Sequence, residues 1–178
     1  SDDPESIKVP GILYKDTLPA GVQRVYLYHT NELTAPGGLR VTGVLENTSA
    51  EPVTVTYRKV VFPTPSGDYL AVGRQMSADF YTQVLVRPPV VIAPGVRVLL
   101  DPSLDARVIT QAQLVGAVVE YEATGALKVT AAGVLPGVDT LATIPTMPQS
   151  PNDAFKRQGT FAKSARSNGT PFNYNTAT

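Results

Sequence analysis

Cysteine and tryptophan are absent from this 178-residue chain, and histidine occurs once, as His29. Without cysteine there is no disulfide framework, no thiolate nucleophile, no iron–sulfur cluster and no cysteine-based zinc site. With one histidine, carboxylates would have to complete any metal site, and neither an Asp-x-Asp-x-Asp-Gly loop nor a His-x-x-His pair occurs. Asp2-Asp3 and Asp101 with Asp105 are the acidic pairs spaced for calcium, but solvated turns are the commoner setting for such pairs. No metal or cofactor is expected.

Charge is scarce as well. Charged residues make up 17 % of the chain, with Lys+Arg and Asp+Glu equal at 15 each, against a usual share of about a quarter. No long-range field therefore favours nucleic acid or anionic lipid. The C-terminal part is only mildly basic and lacks the interleaved aromatic and basic residues that single strands require, so nucleic-acid binding is not expected. No run approaches the roughly 18 apolar residues of a membrane span, and insertion into a membrane is not expected either.

What the chain does have is 43 % hydrophobic residues, enough to bury a core in one domain of ordinary size. It begins Ser1-Asp2-Asp3-Pro4 without an initiating Met. Removal of a signal peptide or lipid-anchor segment is the expectation, and with it a secreted, periplasmic or cell-surface location.

Residues 1–21 mix Pro4, Pro10, Gly11, Pro19 and Gly21 with few apolar residues and read as an extended lead-in. Residues 22–29 are β-branched and aromatic, a strand ending at Thr30-Asn31-Glu32. After Pro36-Gly37-Gly38, residues 39–46 and 53–58 each alternate with period two around the polar turn 47–52, predicting an antiparallel hairpin. Residues 114–121 and 127–135 predict a second hairpin through Glu122-Ala123-Thr124-Gly125. Residues 90–92 and 96–100 read as two more short strands, or one kinked strand, between them. Val72, Met76, Phe80 and Val84 recur every fourth position and predict a short helix around 73–84.

The fold class is thus all-β: an antiparallel Ig-like or jelly-roll-type sandwich of about seven or eight strands, with at most one short helix. It would occupy residues 22–135. Residues 136–178 shift to Pro, Thr, Ser and Asn, and read as an extended C-terminal arm packed on the sandwich or on a neighbour through Phe155, Phe161, Phe172 and Tyr174.

Catalytic constellations are missing. His29 would need a serine partner such as Ser66, Ser77 or Ser103 and an orienting acid, and no Gly-x-Ser-x-Gly elbow occurs. Glu120 and Glu122 share a strand face and could serve a hydrolase as an acidic pair, the least favoured reading. Pro36-Gly37-Gly38 lacks the Lys and Ser/Thr of a phosphate loop. Asn47-Thr48-Ser49 and Asn168-Gly169-Thr170 match the glycosylation sequon.

The segment Asn47-Thr48-Ser49-Ala50-Glu51-Pro52, followed by Val91-Ile92-Ala93-Pro94-Gly95, resembles the Ig-like sandwich modules of bacterial envelope proteins. Tyr28-His29-Thr30-Asn31, Ala71-Val72-Gly73-Arg74 and Gly159-Thr160-Phe161 are similar to an uncharacterised secreted bacterial family, some members of which are labelled copper-amine-oxidase-domain-like. The resemblance implies a fold and a location. It implies no catalysis, because copper amine oxidases use three histidine ligands and this chain has one histidine.

The expectation is a non-catalytic structural or interaction module of the cell envelope or secreted space, with a protein or a glycan as partner. Homo-oligomers would form through the C-terminal arm or an edge strand. The alternative is a carbohydrate-binding module using exposed tyrosines. Candidate contacts are Tyr26, Tyr28, His29, Tyr57 and Tyr121, and the glycan reading requires at least two of the tyrosines exposed and coplanar.

Overall fold

Period-two alternation produces two sheets stacked face to face in the computed structural model, which describes residues 5–34, 36–151 and 159–160. One sheet has the order β1 (Glu5–Ile7), β3 (Gly21–Asn31), β8 (Leu114–Ala123), β5 (Val53–Val61), β6 (Val90–Ile92). The other has the order β2 (Gly11–Leu18), β9 (Leu127–Val134), β4 (Arg40–Glu46), β7 (Arg97–Leu99). All pairs are antiparallel except β1 with β3. The protein is an all-β sandwich, as its alternation predicts.

The core lies between the sheets. Val25 and Leu27 of β3, Val55 and Tyr57 of β5, and Val115, Val119 and Tyr121 of β8 pack with Val41 and Leu45 of β4 and Val129 and Ala131 of β9. Burying such side chains stabilises by roughly 1.5–3 kcal/mol each, and this surface holds the two layers together.

Several expectations need correction. The lead-in is structural: β1 extends the first sheet and β2 pairs along nearly all of β9, so the sandwich starts at Glu5 rather than at residue 22. The expected strands are all present, and these two bring the number to nine. The helix also starts earlier, as α1 (Tyr69–Thr82), because the Asp68 carboxylate caps it by accepting from the Ala71 N–H at 3.0 Å. Gly73 lies inside it, and Val84 falls beyond its end. Two single-turn helices, α2 (Pro102–Asp105) and α3 (Thr140–Thr143), join it.

Neither hairpin forms. β4 and β5 belong to different sheets, as do β8 and β9. The turn after β4 is a corner held by the buried Asn47, whose amide donates to the carbonyls of Glu51 at 2.8 Å and Ile92 at 2.9 Å. After β8, the Thr124 N–H donates to the Thr54 carbonyl at 3.0 Å, and the Thr54 N–H donates to Thr124 Oγ1 at 2.9 Å. Both corners carry the chain across the sandwich. Asn47, being buried with its amide engaged, offers no site for a glycan despite its sequon.

The C-terminal segment packs on its own sandwich where it is described. Ile144 joins Val44, Ala132 and Val134 on the outer face of the second sheet, with Leu141 and Met147 against them. The Ile12 N–H donates to the Pro148 carbonyl at 2.9 Å, and Ser150 N–H returns a bond to Ile12 at 2.8 Å. Thr160 hydrogen-bonds Tyr14 and Asp16. The anchors Phe155, Phe161, Phe172 and Tyr174 lie outside the described residues.

Helix α1 covers the outer face of the first sheet. Val72 and Met76 are buried against it, and Gly116 on β8 allows the close approach: a Cβ there would lie 3.1 Å from Met76 Sδ and 3.2 Å from Val72 Cγ1. Beyond the last turn, the Gln83 carboxamide accepts from the Val60 N–H at 2.9 Å and donates to the Val60 carbonyl at 2.7 Å. It thereby occupies the edge of β5 past the end of β6.

Candidate functional site

Alternation along β3 sends Val25 and Leu27 into the core and leaves Arg24, Tyr26 and Tyr28 on the outer face. There the antiparallel register sets Tyr26 opposite Val118 and Tyr28 opposite Gly116, side chains small enough to leave the rings room. Helix α1 runs alongside and presents Leu70, Gly73, Arg74, Ser77, Phe80 and Tyr81 at spacings of three and four. The result is an open groove of about 610 Å³ between helix and sheet, within the usual size of a ligand cleft, ~300–1,000 Å³.

Its floor is aromatic. The rings of Tyr26 and Tyr28 lie 6.0 Å apart in a stacked arrangement, their planes 21° from parallel. Tyr26 is 51 % exposed and Tyr28 half-buried. Tyr28 is anchored by its hydroxyl, which donates to the Tyr69 carbonyl at the start of α1 across 3.0 Å. Partial burial, then the neighbouring Tyr28, raise the Tyr26 phenol above its ordinary value, so it remains a neutral hydrogen-bond donor at physiological pH. At the far end, Arg24 pairs with Glu120 at 2.6 Å and stacks over Phe80 at 4.5 Å, while Tyr81 meets Phe80 edge-on at 5.6 Å.

The other candidate contacts lie elsewhere. His29 follows Tyr28, faces the opposite side of β3 and is buried. Tyr57 and Tyr121 pair in the core with their centroids 6.4 Å apart, and both are shut off from solvent. Burial drives the Tyr57 phenol up to about 12, only partly opposed by the Arg87 guanidinium, and drives Tyr121 higher still. These three residues therefore do not form a ligand surface. The structure joins Tyr26 and Tyr28 and separates them from the rest.

Arg24, Arg74, Ser77, Phe80 and Tyr81 line the groove as well, although in the sequence Ser77 stands out only as a partner for His29 and Phe80 only as part of a helical stripe. The signal was the alternation Arg24-x-Tyr26-x-Tyr28 facing the polar side of a helix whose other stripe, Val72 and Met76, reads as core.

Among the described residues the candidate acids are each engaged by other groups. Glu120 is bound by Arg24, and Glu122 by Arg58 at 2.6 Å. Asp101 caps α2 by accepting from Ser103 and Leu104 N–H groups and takes Arg87 at 2.7 Å. Asp105 takes Arg40 at 3.1 Å and accepts from the Thr140 hydroxyl at 2.7 Å. These engagements hold both carboxylates within the fold. Among the described residues no three metal-ligating side chains cluster, and no helix is long and apolar enough to cross a membrane. Asp2 and Asp3 lie outside the described residues.

Comparison with known protein families, curated proteins and solved structures returns no match.

Proposed function

We propose that this chain is a non-catalytic interaction module of the bacterial cell envelope or secreted space, and that it works by binding glycan chains in the groove between α1 and the outer face of β3 and β8. The observation that carries this reading is the near-parallel Tyr26–Tyr28 pair, partly open to solvent and bordered by polar side chains of α1. Pyranose rings present flat C–H faces that stack on such aromatics, and their hydroxyls take the polar rim.

Titration calorimetry with a panel of neutral and acidic oligosaccharides tests it. Tyr26→Ala, at a half-exposed position, is expected to weaken binding by about tenfold or more, the cost of a lost stacking platform, with the circular-dichroism spectrum unchanged. A panel without a ligand, or a variant that binds like the parent, overturns the reading.

A second reading has its own observation. The extended stretch before β6 turns Val84 and Val86 outward, the latter 93 % exposed, and Val91 on the edge strand joins them. Exposed apolar side chains beside a sheet edge suit pairing between copies of the chain. Light scattering after size exclusion decides it: a dimer that Val86→Lys converts to monomer supports the contact, and a monomeric parent removes it.

A further inference from the structure

The groove is uneven in charge. Its lining includes two guanidinium groups, Arg24 and Arg74, and no carboxylate. Arg24 is committed to Glu120 and Phe80. Arg74 is not committed: the ion pairs among the described residues all engage other cations. Its neighbours one turn away on α1 are Leu70, Ala71, Ser77 and Ala78, none of which can balance it. An exposed, unbalanced guanidinium thus stands on the helical wall opposite a tyrosine floor.

We propose that the ligand is an acidic glycan, with a sugar face stacked on Tyr26 and a uronate carboxylate held by Arg74. This rests on the glycan-binding reading above and adds the charge class of the ligand. The planar guanidinium fork matches a carboxylate with two parallel hydrogen bonds, a geometry lysine lacks. Ser77 contributes an acceptor: its hydroxyl proton goes to the Gly73 carbonyl at 3.0 Å, so its oxygen can receive a sugar hydroxyl. A single uncompensated cation in the groove suits a polymer with sparse, regularly placed carboxylates. Nucleic acid or an anionic membrane would call for several cations along one surface, and the net charge of the chain is zero.

The test uses the full chain with uronic-acid oligosaccharides of several kinds, their neutral methyl esters, phosphatidylglycerol vesicles and oligo-dT. Acidic oligosaccharides are expected to bind about tenfold tighter than their esters, the scale of a hydrogen bond to a charged group. Arg74→Gln is expected to reduce acidic binding to the level of the ester, abolishing the preference for the acid. Arg74→Lys should recover only part of the loss. Equal affinity for acid and ester, or an Arg74→Gln chain that still prefers the acid, overturns the charge assignment while leaving glycan binding intact. No oligosaccharide binding at all overturns both. Arg74-dependent binding of vesicles or oligo-dT in place of oligosaccharides also overturns both, and identifies a different anionic partner.

Discussion

The Tyr28 hydroxyl reaches the Tyr69 carbonyl at 3.0 Å by passing the bare Cα of Gly73, where a Cβ would come within 3.3 Å of that hydroxyl oxygen. A glycine inside a helix costs about 1 kcal/mol relative to alanine. Here it leaves room for a hydrogen bond that ties the floor of the groove to its wall.

Tyr28→Phe is expected to lower stability by about 1 kcal/mol, the net value of a typical hydrogen bond. Gly73→Ala gains helix propensity but crowds the hydroxyl. The alanine should therefore be more stabilising in the Tyr28→Phe background than in the parent, by roughly 0.5–1 kcal/mol in a double-mutant cycle. Urea midpoints of the four proteins check it, and additive effects would show that the two residues are uncoupled.

Asn47 holds the corner between the sheets through four side-chain hydrogen bonds: its amide donates to the carbonyls of Glu51 and Ile92, and its Oδ1 accepts from the Ser49 N–H at 3.0 Å and the Ser49 hydroxyl at 2.7 Å. Asn47→Ala is expected to cost about 2–4 kcal/mol because these groups lose buried partners. Asn47→Asp should cost more at neutral pH, since a carboxylate would face two carbonyl oxygens. Denaturant titration of both variants gives the order.

Glu46 closes β4 against Arg97 at 2.7 Å and Lys128 at 3.0 Å. Burial raises its carboxyl, but the hydrogen bonds and charges of Lys128 and Arg97 together outweigh burial and leave it below its ordinary value of 4.5. Its stabilisation is complete above that value and is lost as the pH falls through the lower folded one. Glu46→Gln should therefore cost up to about 1 kcal/mol at pH 7, since both cations are partly exposed. The gap between variant and parent should close as the pH falls through the folded value, which lies below 4.5. Thermal unfolding at stepped pH measures the gap, and a constant difference down to pH 3 would contradict the assignment.

Much of the fold is legible along the chain. The strand at 53–58 appears as β5 because Val53, Val55 and Tyr57 lie on one side of a pleat, a consequence of backbone geometry alone. α1 carries its own apolar stripe at Val72 and Met76 and its own cap at Asp68. The lead-in was less legible because Pro10 and Gly11 look like breakers, yet β2 begins at Gly11: a Cβ there would lie 2.9 Å from the Pro148 carbonyl. That close approach involves a residue 137 positions away, and no local pattern contains it.

The candidate site divides in the same way. Tyr26, Tyr28, Tyr57 and Tyr121 are equivalent by composition and strand setting, and two of them form the groove while two fill the core. The sequence by itself determined the strands from residue 22 onward, the apolar stripe of α1, and the absence of thiol and multi-histidine chemistry, because these follow from residue type and short-range spacing. Only the tertiary structure decided which sheet each strand joined and which tyrosine face met α1. A period-two pattern distinguishes two faces of a strand but does not specify what covers either one. That choice is made by long-range packing, in which β4 and β5 part into different sheets and Arg74 comes to line the same groove as Tyr26.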